Sequence, residues 1–230
     1  MPKKKYAAIY SGGKDGHLAM LKMIQAGNDV SCLLNLDGGD RHSSFFHDLR
    51  KTEIIKLHAE KLNIPLVSVP VQPWFKPGLK GIADILKYTA ETAAKHYAFD
   101  AIISGAVDCG DGASSDNFRE AGESVGLVIE TPLAGLTTVE ILRRQEAAGV
   151  KAIIVAAERG VLPESLLGTE TGNRFADILE KLNERGIPAN QNDFQTLVTD
   201  SPLFPSPVKI TATEIIRDKE RSYLNITGFK

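Results

Sequence analysis

Hydrophobic and polar positions alternate between two patterns along the first half of the chain. Short runs rich in apolar and β-branched residues predict strands at residues 6–10, 30–36, 66–69 and 101–104. Longer segments with apolar residues near the 3.6-residue period predict helices at residues 17–25, 47–62, 81–97 and 116–125. Strands that alternate with helices in this way predict an α/β protein with a parallel sheet.

The pattern changes near residue 130. It predicts helices at residues 137–148 and 174–184, a strand at 152–156, and then mainly strands at 195–199, 208–216 and 222–226. Polar residues 217–220 predict a hairpin loop between the last two strands. We therefore expect two domains, residues 1–130 and a smaller α+β domain at residues 131–230.

Composition limits the classes of function. The 27 basic and 29 acidic residues give a net charge of −2, which argues against general affinity for DNA, RNA or an anionic membrane. No segment approaches the roughly 20 apolar residues of a membrane span, so we expect a cytoplasmic protein. Of the two cysteines, Cys32 falls within a predicted buried strand and is expected to be a packing residue, whereas Cys109 follows the fourth strand.

The loop between the first strand and the first helix carries the clearest chemistry, and it reads Ser11-Gly12-Gly13-Lys14-Asp15-Gly16. Two glycines let the backbone N–H groups approach a ligand, and the start of a helix favours an anion. We expect Lys14 to be an exposed, mobile cation and Asp15 to be a carboxylate suited to Mg²⁺. The loop therefore predicts a polyphosphate site, the alternative being a Gly-Gly turn with solvated charges.

This loop resembles the pyrophosphate loop (PP-loop) of the N-type ATP pyrophosphatases, which cleave ATP between the α and β phosphates. The resemblance implies a HUP, or adenine nucleotide alpha hydrolase-like, domain that binds ATP and Mg²⁺. It also implies catalytic roles for Lys14 and Asp15, with Asp15 as the metal ligand. The implied nucleotide-binding residues are Ser11, Gly12, Gly13, Lys14, Asp15, Gly16, Leu36 (through its backbone), His47 and Gly105. Gly16 departs from the family pattern, which usually has Ser or Thr there.

Further stretches resemble, in order and spacing, the diphthine–ammonia ligase (diphthamide synthase) family over about residues 6–204. They are Phe45-Phe46-His47, residues 57–66, Ser104-Gly105-Ala106, Val125-Gly126-Leu127, Thr131-Pro132-Leu133, Leu166-Leu167-Gly168 and Asp200-Ser201-Pro202-Leu203-Phe204. The resemblance implies transfer of AMP from ATP to a carboxylate, followed by displacement of AMP by ammonia. In the family that carboxylate belongs to diphthine, a modified histidine of elongation factor 2.

The segment that matches the family's acceptor-binding stretch is changed. Family members have Gly-Glu-x-Gly-Glu-Tyr/Phe-Glu-Thr where this chain has Pro-Ala-Asn-Gln-Asn-Asp-Phe-Gln-Thr at residues 188–196. The resemblance implies acceptor binding by Asp193, Phe194 and Thr196, but Gln195 replaces an acid that would suit the quaternary ammonium of diphthine. Three alternatives stay open: a different carboxylate, a PP-loop enzyme that modifies tRNA, and a non-catalytic adenine-nucleotide sensor. The oligomeric state is also open, a homo-oligomer included.

Overall fold

Two β-sheets, one parallel and one antiparallel, organise the computed structural model, which describes residues 4–37, 53–70, 79–107 and 115–230. The parallel sheet has the order β3-β2-β1-β4-β5, and every neighbouring pair in it is parallel. Its strands are β1 (Lys5–Ile9), β2 (Asp29–Asp37), β3 (Leu66–Pro70), β4 (Ala101–Ile103) and β5 (Ile129–Glu130). The helices of this half are α1 (Lys14–Gln25), α2 (Glu53–Leu62), α3 (Leu79–Ala94) and α4 (Ser115–Ser124). The predicted α/β class is confirmed.

The second sheet is antiparallel and has the order β7-β6-β9-β8. It is formed by β6 (Lys151–Glu158), β7 (Phe194–Asp200), β8 (Ile210–Arg217) and β9 (Arg221–Phe229). Two helices, α5 (Thr138–Ala147) and α6 (Asn173–Glu184), precede and follow β6. The predicted hairpin joins β8 to β9, and this half has the expected α+β character.

Helix α1 and strand β5 of the first half differ from the sequence prediction, and α3 ends at Ala94 instead of residue 97. Helix α1 begins at Lys14 instead of residue 17, because Gly13 has the extended conformation of an N-cap residue. Strand β5 was not predicted, since two residues are too few to give a periodic pattern. Residues 47–52 of the predicted second helix lie outside the described residues. Over the described ranges, no helix combines the length and apolarity needed to cross a membrane.

Helix α1 links the two sheets through a shared hydrophobic core. Leu18 and Leu21 of α1 belong to the same buried cluster as Leu33 of β2 and as Leu197 and Val198 of β7. A second core lies between the parallel sheet and helices α3 and α4, and a third surrounds Phe175 of α6. The two halves therefore pack together directly at α1.

The order of the parallel strands reverses between β1 and β4, which is where open α/β sheets bind ligands. The chain segments that follow these two strands touch at that point. A Cβ atom placed on Gly105, just after β4, would lie 2.4 Å from the backbone N of Gly16 and 2.5 Å from the carbonyl C of Asp15. Only glycine fits at this contact, so the backbone after β4 holds the first turn of α1 in place.

A polar cluster lies inside the core beneath this switch point. The Tyr10 hydroxyl is 3.0 Å from Nδ1 of His17 and 2.9 Å from Nδ1 of His58. Both imidazole rings pack on Phe204, with ring centroids 5.3 and 5.1 Å away. Burial lowers the pKa of His17 to about 4, so this imidazole is neutral at pH 7.

We expect Gly105→Ala to destabilise the fold by about 2–3 kcal/mol, because the new methyl group would overlap the backbone of Gly16. Gly27→Ala is the matched control: Gly27 has a φ of +88° and no neighbour within 4 Å of its Cβ position. That control should lose only about 1 kcal/mol, through backbone strain alone. Urea unfolding measures both variants, and an equal loss in the two would contradict the close packing at Gly105.

The low pKa of His17 also predicts a pH dependence of stability. The unfolded chain binds a proton at His17 near pH 6.5, whereas the folded chain binds it only near pH 4, so acidification between these values favours unfolding. The free energy of unfolding should fall by up to about 3 kcal/mol between pH 6.5 and pH 4. His17 causes no loss of stability above pH 6.5 and no further loss below pH 4. Unfolding by urea at several pH values should show a flatter profile for His17→Gln. If His17→Gln had the same pH dependence of stability as the wild type, the low pKa assigned to His17 would be contradicted.

Candidate functional site

The loop motif at residues 11–16 follows β1 at the carboxyl edge of the parallel sheet, and its last three residues form the first turn of α1. Gly12 has a φ of +81°, a conformation that glycine adopts without strain. Gly13 is the N-cap residue of α1, and no side chain caps the helix from that position. The N–H groups of Lys14, Asp15 and Gly16 therefore begin the helix without partners in it, where the helix dipole is positive.

Strand β7 of the antiparallel sheet docks on this loop. It is the strand at one edge of its sheet, so one side of its backbone is available for other partners. The Val198 N–H donates to the carbonyl of Gly12 at 2.9 Å, and the Lys14 N–H donates to Oγ1 of Thr196 at 3.0 Å. The candidate phosphate loop is thus held by residues from both halves of the chain.

The Lys14 side chain is buried beneath β7, with only 2% of its surface exposed. Its Nζ lies 2.8 Å from both carboxylate oxygens of Asp15 and 4.9 Å from the ring centroid of Phe194. A carboxylate and an aromatic face both stabilise an ammonium group. The expectation that Lys14 is exposed is therefore wrong, because it treated the loop without the strand that covers it.

Asp15 remains partly open to solvent, with 29% of its side chain exposed. It is an oxygen ligand of the kind that Mg²⁺ prefers, next to helix N–H groups that suit phosphate oxygens. No group of three or more His, Cys, Asp or Glu residues that could hold a metal ion is found among the described residues. A single carboxylate beside a phosphate site suits Mg²⁺, which proteins usually bind through one or two carboxylates and substrate phosphates, and Asp15 is the residue that would hold it.

The other predicted nucleotide-binding residues follow the topology of the sheet. Leu36 lies near the end of β2, two residues beyond Leu34, whose carbonyl accepts from the N–H of Tyr10 just before the loop. Gly105 contacts the start of α1, as described above. Ser11 is partly exposed at the start of the loop. His47 lies outside the described residues.

The residues assigned to acceptor binding divide into two groups. Phe194 and Thr196 contact Lys14, and the Phe194 ring also packs edge-on against Phe175 at 4.9 Å. The Asp193 carboxylate instead accepts from the backbone N–H of Asn190 at 2.7 Å, which closes a short 3₁₀ turn. Phe194 thus presents its ring to the ammonium of Lys14, and the acceptor role of all three residues stays a prediction.

The structure adds residues that the sequence reasoning missed: Tyr10, His17, His58, Phe204 and Val198. Tyr10 and His17 directly flank the loop, which is a signal that the sequence offered. His58 and Phe204 belong to two of the stretches that resemble the family, and the structure shows that those stretches touch each other in the core. Their contact could not be predicted because 146 positions separate them along the chain.

Cys32, the cysteine that lies within the described part of the chain, does not contribute to this site. Cys32 is buried in β2, as predicted, and burial raises the pKa of its thiol to about 11. A thiol with such a pKa is protonated and unreactive at neutral pH. Cys109 lies outside the described residues.

A cavity of about 610 Å³ lies elsewhere, between the end of α5, the start of β6 and the start of α6. Glu146 lines it, and its carboxylate accepts from the backbone N–H and the side-chain amide of Asn173 at the start of α6. This carboxylate is therefore used to cap a helix. The predicted site residues that the structure describes do not line the cavity.

Comparisons with known proteins agree with the resemblance. Diphthine–ammonia ligase of Bos taurus is 25% identical over 236 residues, which cover 92% of this chain and 85% of that protein. The Danio rerio protein of the same name is 24% identical over 248 residues, which cover 98% of this chain and 93% of that protein. The Homo sapiens protein of the same name is 24% identical over 233 residues, which cover 92% of this chain and 85% of that protein. A solved structure of a predicted subunit of tRNA methyltransferase from Methanocaldococcus jannaschii is 17% identical, with a TM-score of 0.44 over 86% of this chain and 98% of that one.

Family matches cover both halves of the chain. Residues 4–110 match the diphthamide synthase N-terminal domain, and residues 137–230 match the diphthamide synthase C-terminal domain. The first match contains the candidate phosphate loop, and the second contains the strand that docks on it. The chain belongs to the diphthamide synthase family.

Proposed function

We propose that this protein is an ATP-dependent, AMP-forming amide ligase that adenylates a carboxylate and replaces AMP with ammonia. The observation that carries the proposal is the placement of Lys14 and Asp15 in the first turn of α1, at the switch point of the parallel sheet. The names of the relatives support ligase chemistry. We assign ATP to residues 1–130 and the acceptor to residues 131–230, with β7 contributing to both.

The polyphosphate of ATP binds at the start of α1 in this proposal. The N–H groups of Asp15 and Gly16 lie in the first turn of α1, at the positive end of the helix dipole, where they can donate to phosphate oxygens. Lys14 exchanges its contact with the Asp15 carboxylate for one with a phosphate oxygen, and Asp15 is the residue that would hold Mg²⁺. When bound, Mg²⁺ supplies positive charge that offsets the charge developing on the leaving pyrophosphate.

The reaction has two steps. An oxygen of the acceptor carboxylate attacks the α-phosphorus, the bond from that phosphorus to the bridging oxygen breaks, and pyrophosphate leaves with the bonding electrons. The nitrogen of ammonia then attacks the acyl carbon, the bond from that carbon to the AMP oxygen breaks, and one proton passes to solvent. Lys14 and the loop N–H groups stabilise the charge that grows on pyrophosphate during the first step.

The acceptor is a carboxylate, and diphthine on elongation factor 2 is the first candidate because the family relatives are named for it. Two features favour a change in how that acceptor is bound. Gln195 is neutral at a position where the family has an acid, and the Phe194 ring already faces the ammonium of Lys14. A quaternary ammonium would therefore need other partners here.

A second candidate function is a nucleotide sensor without catalysis. The observation in its favour is the burial of Lys14 in an ion pair with Asp15, which leaves the ammonium away from solvent. A sensor would bind ATP or AMP but release no pyrophosphate with any acceptor.

The test is product formation from Mg²⁺-ATP, ammonium and elongation factor 2 that carries diphthine. We expect AMP and pyrophosphate from the wild type and at least about 100-fold less from Lys14→Met, which keeps the length of the side chain but removes its charge. Lys87→Met, an exposed position on α3, is the matched control and should react like the wild type. Chromatography of the nucleotides measures all three proteins.

The outcomes separate the two candidates. ADP and inorganic phosphate in place of AMP and pyrophosphate would contradict the proposed cleavage of ATP. Measurable ATP binding without products, tested over several carboxylates, would favour the sensor. Equal activity of Lys14→Met and the wild type would show that the charge of Lys14 plays no part in the reaction.

A further inference from the structure

The two ends of the phosphate loop are joined by a hydrogen bond between side chains. Tyr10 directly precedes the loop, His17 directly follows it, and the Tyr10 hydroxyl lies 3.0 Å from Nδ1 of His17. The same hydroxyl lies 2.9 Å from Nδ1 of His58, which belongs to α2. All three side chains are buried, with 1% or less of each residue exposed.

The chemistry of a phenol determines how the two imidazoles are protonated. A Tyr hydroxyl has one proton to donate, and its oxygen accepts. One imidazole Nδ1 therefore accepts the Tyr10 proton, while the other imidazole must donate its own Nδ1–H to the Tyr10 oxygen. His17 and His58 consequently hold opposite tautomers when both are neutral. Burial raises the pKa of Tyr10, so the phenol keeps its proton at pH 7 and can donate it in only one of the two bonds.

The hydrogen bonds of Tyr10 hold the loop on the side that faces the core, whereas β7 contacts the loop through Gly12 and Lys14. Phe204 packs on both imidazoles and follows β7 in the chain, so the cluster connects the base of the loop to the same segment that docks on it. The loop itself contains three glycines and has little intrinsic stiffness. Holding its ends together reduces the number of conformations that a phosphate ligand must select.

We infer that the Tyr10 hydroxyl, bound between His17 and His58 in opposite tautomers, is a positioning group that holds the phosphate loop ready for a polyphosphate. The inference rests on the proposed nucleotide site, but it concerns binding and not catalysis. Tyr10 is therefore a positioning residue that acts on the phosphates through the backbone of the loop. A structural role alone would leave the affinity of the folded protein for phosphates unchanged.

The first test is ligand binding to Tyr10→Phe, which removes the hydroxyl and keeps the ring. We expect the dissociation constants of Mg²⁺-ATP and of pyrophosphate to rise about tenfold, while that of adenosine changes by less than about twofold. Tyr97→Phe is the matched control, since Tyr97 packs against the core on the opposite face of the parallel sheet, and it should bind all three ligands like the wild type. Calorimetry on the folded proteins gives these constants.

The second test is the tautomeric state of the two histidines, read from the imidazole ¹⁵N chemical shifts. In the wild type, one of the two imidazoles should carry its proton on Nδ1 and the other on Nε2. In Tyr10→Phe the hydroxyl no longer requires opposite tautomers, so this pairing should be lost. Identical tautomers in the wild type would overturn the inference. So would a Tyr10→Phe protein that binds pyrophosphate as tightly as the wild type, or one that loses ATP and adenosine affinity equally. Failure of the proposed function is a separate result, because it would appear as absent AMP formation in a wild type that still binds ATP.

Discussion

The docking of strand β7 on the loop before α1 is the contact on which the rest of the site depends. A glycine-rich loop at the end of a strand has many conformations, and the docked strand restricts them through two hydrogen bonds, from Val198 to Gly12 and from Lys14 to Thr196. The strand can make them because it lies at a sheet edge. The same docking buries the Lys14 side chain and places its ammonium between a carboxylate and an aromatic ring.

This arrangement brings residues from both halves of the chain together at the candidate site. The segment that resembles the family's acceptor-binding stretch touches the residue proposed to handle the phosphates. Under the proposed function, a nucleotide that draws Lys14 away from Asp15 would also change the surroundings of Phe194, which would link nucleotide binding to the conformation of this segment. The buried cluster around Tyr10 supports the loop from the opposite side. The loop is therefore held between two sets of contacts that come from distant parts of the sequence.

The sequence predicted the parts of this protein that depend on local pattern. The parallel sheet follows from hydrophobic periodicity, and the residues of the loop predict a phosphate site. The burial of Lys14 was not predictable because Thr196, its partner, lies 182 positions away. The contact between His58 and Phe204 was missed for the same reason. The start of α1 at Lys14 was missed because an extended glycine can cap a helix without any side-chain signal.

The most direct test of this account is the affinity for Mg²⁺-ATP when the hydroxyl of Thr196 is removed. Thr196→Val keeps the shape of the side chain but leaves the Lys14 N–H without its acceptor, and Thr196→Ser keeps the hydroxyl. Calorimetry should show about tenfold weaker binding for the valine variant and near wild-type binding for the serine variant. Equal or tighter binding by Thr196→Val would mean that β7 is not part of the nucleotide site, or that it competes with the nucleotide, and would contradict the account.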